Sequence, residues 1–307
     1  MCSVALSLLS PTFSLLSPVS FLLRGSQDSR PLPDPATFYR AVRENLVRAQ
    51  RATHLYTYKD RRTDVHVNPF GRLGTGGTRL FEVFPSAAPQ LSYRRLIERN
   101  GMPVSARDLA EQDRQYRAKA ADVQRRIATR SDSERRRLDA ESAQARERAQ
   151  RMIEDVVNTL QFTLKGRGIH GGVPAIVITF TPKPNARPAT REGRIAEKFA
   201  GTVWVDEAAA EVMHVEARSI DDLTFGFGII ARLGEGTTAT LTRRPVDGDL
   251  WMPTGVTLTG RGRAALFFRS LVVDYAVDWF EYRRLPDDSP APFLDPRVHG
   301  QPGRGPQ

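Results

Sequence analysis

Five histidines, His54, His66, His170, His214 and His299, are the side chains of this chain best suited to metal binding or proton transfer near neutral pH. No two stand at a ligand spacing such as HxxxH, and none lies in sequence beside an Asp/Glu cluster, so a metal site has no support. Each reads as a strand or loop surface residue, with His66 and His214 on strands that have one solvated face. The single cysteine, Cys2, leaves no internal disulfide and no cysteine-based metal site. Nucleophilic chemistry is equally thin, because no Gly-x-Ser-x-Gly elbow occurs. The carboxylate pairs Asp221/Asp222 and Asp287/Asp288 fall in expected turns with no partner that sequence identifies. The residues therefore point to no catalytic group, no metal and no cofactor.

Phosphate and nucleic acid are the next chemistries to weigh. The run Gly74-Thr75-Gly76-Gly77 has neither the spacing of a dinucleotide fingerprint nor a following helix, and reads as a loop. The stretches 166–172 and 260–263, with glycines around Arg167, Arg261 and Arg263, read as turns. Arg125-Arg126 and Arg135-Arg136-Arg137 are basic clusters, but 105–151 holds 9 acidic residues beside 13 basic ones. That mixture repels the phosphate backbone as much as it attracts it, so a solvated helix is expected and nucleic acid is not. The same holds for the whole chain: 45 Lys+Arg against 35 Asp+Glu give +10, with acids interspersed among the arginines.

What remains is apolar. Phe225-Gly226-Phe227-Gly228-Ile229-Ile230 and Leu266-Phe267-Phe268 put large apolar side chains on both faces of expected strands, and Trp204, Trp251 and Trp279 lie in strand context. A sheet needs one apolar face to pack. Two imply a second layer or a concave surface for a greasy ligand.

The elements that position these residues are legible in outline. Asp34-Pro35 supplies a cap and a first-turn proline, and Phe38, Val42, Leu46 and Ala49 then recur at helical spacing. Alternating patterns broken by turn residues follow, around Tyr56 to Val67, Thr78 to Phe84 and Leu91 to Arg99. The span 105–151 contains no Pro or Gly and carries acid-first i,i+4 pairs such as Asp122/Arg126 and Glu147/Arg151. Leu109, Tyr116, Val123 and Ile127 form a thin stripe at roughly heptad spacing, as in a coiled coil. This helical insertion, 105–152, is either one long helix or two antiparallel helices turning near 129–133, where Ser131-x-x-Glu134 is a capping box. Strand patterns resume after Leu160, separated by a proline-punctuated loop over 182–193. About ten strands without helical crossovers predict an α+β fold: a curved antiparallel sheet or half-barrel, with the N-terminal helix packed on its open side.

At the ends, the first 23 residues lack charge and are rich in leucine. Residues 1–24 read as a signal-like apolar segment or a membrane anchor, 25–33 as a linker, 34–285 as one domain and 286–307 as a disordered tail. The expected location is periplasmic or otherwise exported, and the protein is not integral to the membrane unless that segment stays uncleaved.

Gly201-Thr202-Val203-Trp204-Val205-Asp206, a turn, then Glu211-Val212-Met213-His214-Val215-Glu216-Ala217 resembles the central hairpin of the LolA/LolB-like periplasmic superfamily. That superfamily includes lipoprotein carriers and MucB-like envelope sensors. The order of a helix, short strands and a long run of strands over 34–285 is similar too. The resemblance implies a half-barrel that binds lipid or lipoprotein acyl chains in its concavity without catalysis. On that basis Trp204, Phe225, Phe227, Trp251 and Phe267 are expected to line the cavity, and Phe38, Val42 and Leu46 to form the lid helix. The alternative is an envelope scaffold or sensor that binds a protein partner through 105–151.

Overall fold

The computed structural model describes residues 30–63, 77–129, 131–225, 231–248, 250–264, 269–286 and 289–299. The apolar N-terminal segment, His66, the Gly74–Gly77 loop except its last residue, Phe227 and Phe267 lie outside these residues.

The N-terminal helix α1 spans Pro35–Ala52, with the Asp34 carboxylate accepting the Thr37 N–H at 2.9 Å as its cap. Strands β1 (Tyr56–Thr63), β2 (Thr78–Phe84), β3 (Tyr93–Arg99) and β4 (Met102–Pro103) then form a meander. Two helices follow, α2 (Ala106–Ala128) and α3 (Asp132–Thr159). The second meander comprises β5 (Leu160–His170), β6 (Val173–Pro182), β7 (Phe199–Asp206) and β8 (Val212–Ser219). It continues through the short pair β9 (Leu223–Phe225) and β10 (Ala231–Leu233), then β11 (Thr238–Asp247), β12 (Leu250–Ala264) and β13 (Arg269–Arg284). A short helix α4 (Arg191–Ala196) lies between β6 and β7, and α5 (Pro296–His299) follows the last strand.

All thirteen strands among the described residues join one open antiparallel sheet, in the order β4-β3-β2-β1-β13-β12-β11-β8-β7-β6-β5, with β9 and β10 appended to β12. The two meanders are joined by pairing of the first strand with the last. The helical pair α2–α3 is therefore more than an insertion into a loop: it carries the chain from one outer edge of the sheet, β4, to the other, β5. The break between the helices is at 129–131, where Ser131 and Glu134 form the capping box, and α3 runs on to Thr159.

Three expectations about the chain are corrected. The glycine-rich stretches 166–172 and 260–263 are mostly strand, not turn; only Gly171-Gly172 makes the hairpin. At Gly262 an added Cβ would run into the Arg232 carbonyl of β10, so the glycine admits a neighbouring strand. The loop after β6 contains α4, tied to α3 by the Asp155 carboxylate, which accepts from the Thr190 hydroxyl at 2.6 Å and N–H at 2.8 Å. The tail is also packed where it is described: Phe293 is 6% exposed and stacks edge-on against Phe84, Tyr93 and Tyr116.

That aromatic group explains the apolar stripe of α2. Tyr116, Ala120, Val123 and Ile127 insert between β3 and the tail rather than into a coiled-coil partner. The Tyr116 hydroxyl donates to the Leu91 carbonyl at 2.6 Å, and Arg95 of β3 bonds the Asp113 carboxylate of α2 at 2.9 Å.

Candidate ligand-binding face

Pairing registers place one residue from each of ten strands in a single row across the sheet. From the β5 edge inward it runs Leu164, Ile178, Val203, Val215, Leu241, Val256, Val277, then Arg62, Arg79 and Arg99. Residues directly opposite in antiparallel strands share a face. Seven apolar side chains thus continue into three arginines. At ~4.8 Å between strands the apolar part is about 29 Å across.

The apolar face of α1 lies over the β5–β8 end of this row. Phe38, Tyr39, Val42 and Leu46 pack on Ile176, Ile178, Val205 and Val212, with Leu164, Val203 and Val215 against the same group. Further along, Leu241 and Val256 are only half-buried, as are Leu258 and Tyr275 in the next row. A second cluster, with Phe180, Phe199, Leu223, Leu233 and Val273 at its centre, fills the sheet end beneath Val156 of α3 and Ala196 of α4.

The helix is pinned at its C-terminal half by polar contacts to the β7–β8 turn. Asn45 Nδ2 donates to the Ala209 and Ala210 carbonyls at 2.9 and 3.0 Å, and Ala210 has φ +53°. Arg48 donates to Glu211 at 3.1 Å. The Glu211 side chain is 0% exposed and also accepts from Arg243 at 2.9 Å, while Arg243, 3% exposed at its side chain, donates to the Trp251 carbonyl at 2.7 Å. Burial lowers the pKa of Arg243, and the Glu211 carboxylate opposes that shift. Arg51 of α1 meets Gln150 of α3 at 3.0 Å beside a groove of about 530 Å³ between the two helices.

At the other end of the row, Asp60 is 2% exposed and accepts hydrogen bonds from Arg62 and Arg94, the latter at 2.9 Å. Arg94 also stacks over the Phe81 ring, 3.8 Å from its centroid. Burial lowers the Arg94 pKa and Asp60 partly offsets it; for Arg62 burial acts the same way, but the Asp60 hydrogen bond and charge outweigh it and the pKa rises. The rings of Tyr58 and Tyr282 meet at a tilt beside this group, 5.3 Å between centroids, and burial is the chief cause that raises the pKa of both.

Of the residues expected to line a cavity, Trp204 lies on the face of the sheet opposite α1. Val203 and Val205 take the α1 face, so alternation along β7 sends Trp204 to the opposite one. There it meets Trp251, Ala175 and Met213 in a small cluster, and the rings of His170 and His214. The two imidazoles stack at 4.7 Å; His214 Nδ1 is 3.0 Å from Thr242 Oγ1. Burial, then the charge of His214, lowers the pKa of His170. Phe225 ends β9. Phe38, Val42 and Leu46 of α1 lie together on the sheet. Sequence reasoning missed Glu211, Arg243, Asp60 and the arginine row, because their relation exists only in cross-strand register. The one local signal was Glu211 itself, an acid just after a turn and ahead of an apolar strand.

Among the described residues no three His, Cys, Asp or Glu side chains converge as a metal site, and no helix is long and apolar enough to cross a membrane. No family model matches the chain, and no curated protein does. Two solved structures align with most of it. One is a DUF1329 family protein from Desulfovibrio piger, at 12% identity and TM-score 0.30, covering 87% of this chain and 100% of that one. The other is a putative outer membrane lipoprotein-sorting protein domain from Vibrio parahaemolyticus, at 9% identity and TM-score 0.31, covering 83% and 97%. At these scores neither likeness bears on ligand or activity.

Proposed function

We propose that this chain is a non-catalytic binding protein of the cell envelope, its sheet bent as a half-barrel that holds the acyl chain of a lipid or lipoprotein against the apolar row, with α1 as the lid. The observation that carries the reading is the row itself: seven apolar side chains in register over seven strands, with α1 over its β5–β8 end and Leu241 and Val256 left half-buried in its middle. Leu241, Val256 and Leu258, half-buried beyond α1, offer a start for the ligand, and displacement of α1 extends it.

The attachment of α1 suits a lid. Asn45 and Arg48 anchor its C-terminal half, Arg167 holds the Arg30 and Pro31 carbonyls just ahead of it, and the Arg48 side chain is 52% exposed, so its ion pair adds only about 0–1 kcal/mol. The lining of this reading shifts from Trp204 to Leu241, Val256, Leu258 and Trp279. Trp279 pairs with Asp60 two residues beyond Val277, on the α1 side of the sheet.

A titration with a fluorescent acyl-chain probe tests the proposal. Arg48→Ala, which loosens α1 without opening the core, is expected to tighten probe binding, because less lid energy opposes entry. If neither protein binds the probe, the acyl-chain reading is wrong.

The alternative of a partner surface on 105–151 draws less support. The apolar stripe of α2 is occupied by Phe293 and Tyr93, leaving charged side chains such as Arg125, Arg126 and Asp122 outward and paired with one another.

A further inference from the structure

The end of the β5–β6 hairpin overhangs the sheet. Pairing between β6 and β7 starts at Ala175, opposite Asp206, whereas β5 and β6 run on together through Ile169/Pro174 and His170/Val173 to the Gly171-Gly172 turn. In the sheet order β8 lies three strand spacings from β5, about 14 Å if the sheet were flat. The His170 ring nevertheless stacks on the His214 ring of β8, 4.7 Å between centroids and 16° between planes, and lies 5.2 Å from Trp204 of β7. The overhang therefore curls back over the face opposite α1, where two imidazoles and an indole hold it. Its backbone adds a long contact, the Glu207 N–H to the Pro174 carbonyl at 3.4 Å. Ile169 beside the stack is 71% exposed, so burial of its side chain does not fasten the end.

Three residues before His170, the same strand grips the other face. Arg167 donates to the Arg30 and Pro31 carbonyls at 2.6 and 2.9 Å, just ahead of α1, and to Glu207 at 2.7 Å. A displacement of this strand end thus reaches the entry to α1 without passing through the core.

We propose that the overhang is a pH-sensitive clasp: protonation of the stacked imidazole pair frees the hairpin end from β7 and β8, and with it the strap that Arg167 holds on the entry to α1. Two imidazolium rings stacked face to face repel, while a neutral ring on a charged or neutral one does not. The groups that face His170 are His214 and Glu216 of β8, Arg244 of β11 and the uncharged Trp204 of β7. Burial favours its neutral form most, His214 and Arg244 add to that, and Glu216 opposes them. Glu216 is 3.4 Å from His214 Nε2 and 61% exposed at its side chain, so it supports a proton on His214 while water screens its pull on His170. Opening hydrates the His170 ring and parts it from His214, so the open end takes up a proton more readily than the closed one. The clasp is accordingly closed above the ordinary value of 6.5, and opening grows as pH falls from there toward the lower value of the closed state. This adds a control to the lid of the acyl-chain reading and rests on that reading only there, since the clasp itself needs no ligand.

Hydrogen exchange of the full chain, read by mass spectrometry at about pH 7.5 and 5.5 on either side of the imidazole range and corrected for intrinsic exchange rates, tests it. The native chain is compared with His170→Phe, which keeps a ring on Trp204 and His214 but takes up no proton, and with Arg167→Gln. In the native chain, protection of 166–177 should fall about tenfold at the lower pH, the change that one proton taken up on opening gives over one pH unit. Protection of 35–45 should fall with it. In His170→Phe both segments should be equally protected at the two pH values, and in Arg167→Gln the hairpin should respond while α1 does not. Equal protection of 166–177 at both pH values in the native chain overturns the clasp. A response undiminished in His170→Phe overturns the role of the imidazole pair, and a native hairpin response without one in α1 overturns the strap. No acyl probe is present, so these results bear on the clasp and not on the acyl-chain reading.

Discussion

At the scale of single residues, Glu211 carries the most. It is fully buried between Arg243 and Arg48, and it joins α1 to the sheet. Replacing it by alanine leaves Arg243 buried without its counter-charge, at a cost of about 3–5 kcal/mol. Urea unfolding of Glu211→Ala should show a loss of that size, and a loss below ~1 kcal/mol would mean that water or another acid replaces the carboxylate. His170 carries a different signature. Its pKa lies below the ordinary value of 6.5 in the folded chain, through burial first and His214 second, with Arg244 adding to the shift and Glu216 opposing it. Below that value the unfolded chain binds more protons, so the stability tied to neutral His170 is complete above pH ~6.5 and is lost as pH falls through the lower folded value. His170→Gln should flatten the fall in stability between about pH 7 and 5; an unchanged slope contradicts the assignment. Individual residues were also where sequence misled most. Trp204 sits between two valines on β7, and an alternating strand with apolar residues on both faces does not say which face a helix will cover.

At the scale of elements, local chemistry was the more reliable guide. The Asp34 cap, the first-turn proline and the i, i+4 spacing of Phe38, Val42 and Leu46 fixed α1 and its buried side before any tertiary contact was known. The capping box at Ser131 marked the break in the charged run, although the pattern left one helix or two open. Glycines were read less well, because a close strand approach and a turn demand the same residue. The stripe of α2 was legible as apolar but not its partner, since Phe293 lies about 170 residues further along the chain. Tyr116→Phe removes the hydroxyl that donates to the Leu91 carbonyl and should cost about 1 kcal/mol of global stability. Retention of full stability in thermal unfolding would show that α2 is held by its ring stacking alone.

At the scale of the molecule, the row of ten residues depends on registers among strands up to about 220 positions apart, which no local pattern reveals. Its apolar part could be anticipated as a sheet face; its arginine end could not. The helical pair changes meaning at this scale too. Because it joins the two outer edges of the sheet and packs Tyr116, Ala120, Val123 and Ile127 into the cluster around Phe293, deletion of 105–151 should abolish cooperative unfolding rather than remove a detachable arm. A deleted protein that still unfolds cooperatively would restore the view of 105–151 as an independent module. The central claim is that an acyl chain lies on the α1 side of the sheet, over Leu241 and Val256 toward Trp279, and away from Trp204. Fluorescence quenching by a bromine-labelled fatty acid tests it most directly, in one variant that keeps only Trp279 and another that keeps only Trp204. The account predicts saturable quenching of Trp279 with Trp204 unaffected; quenching of Trp204 alone would place the ligand on the opposite face and contradict it.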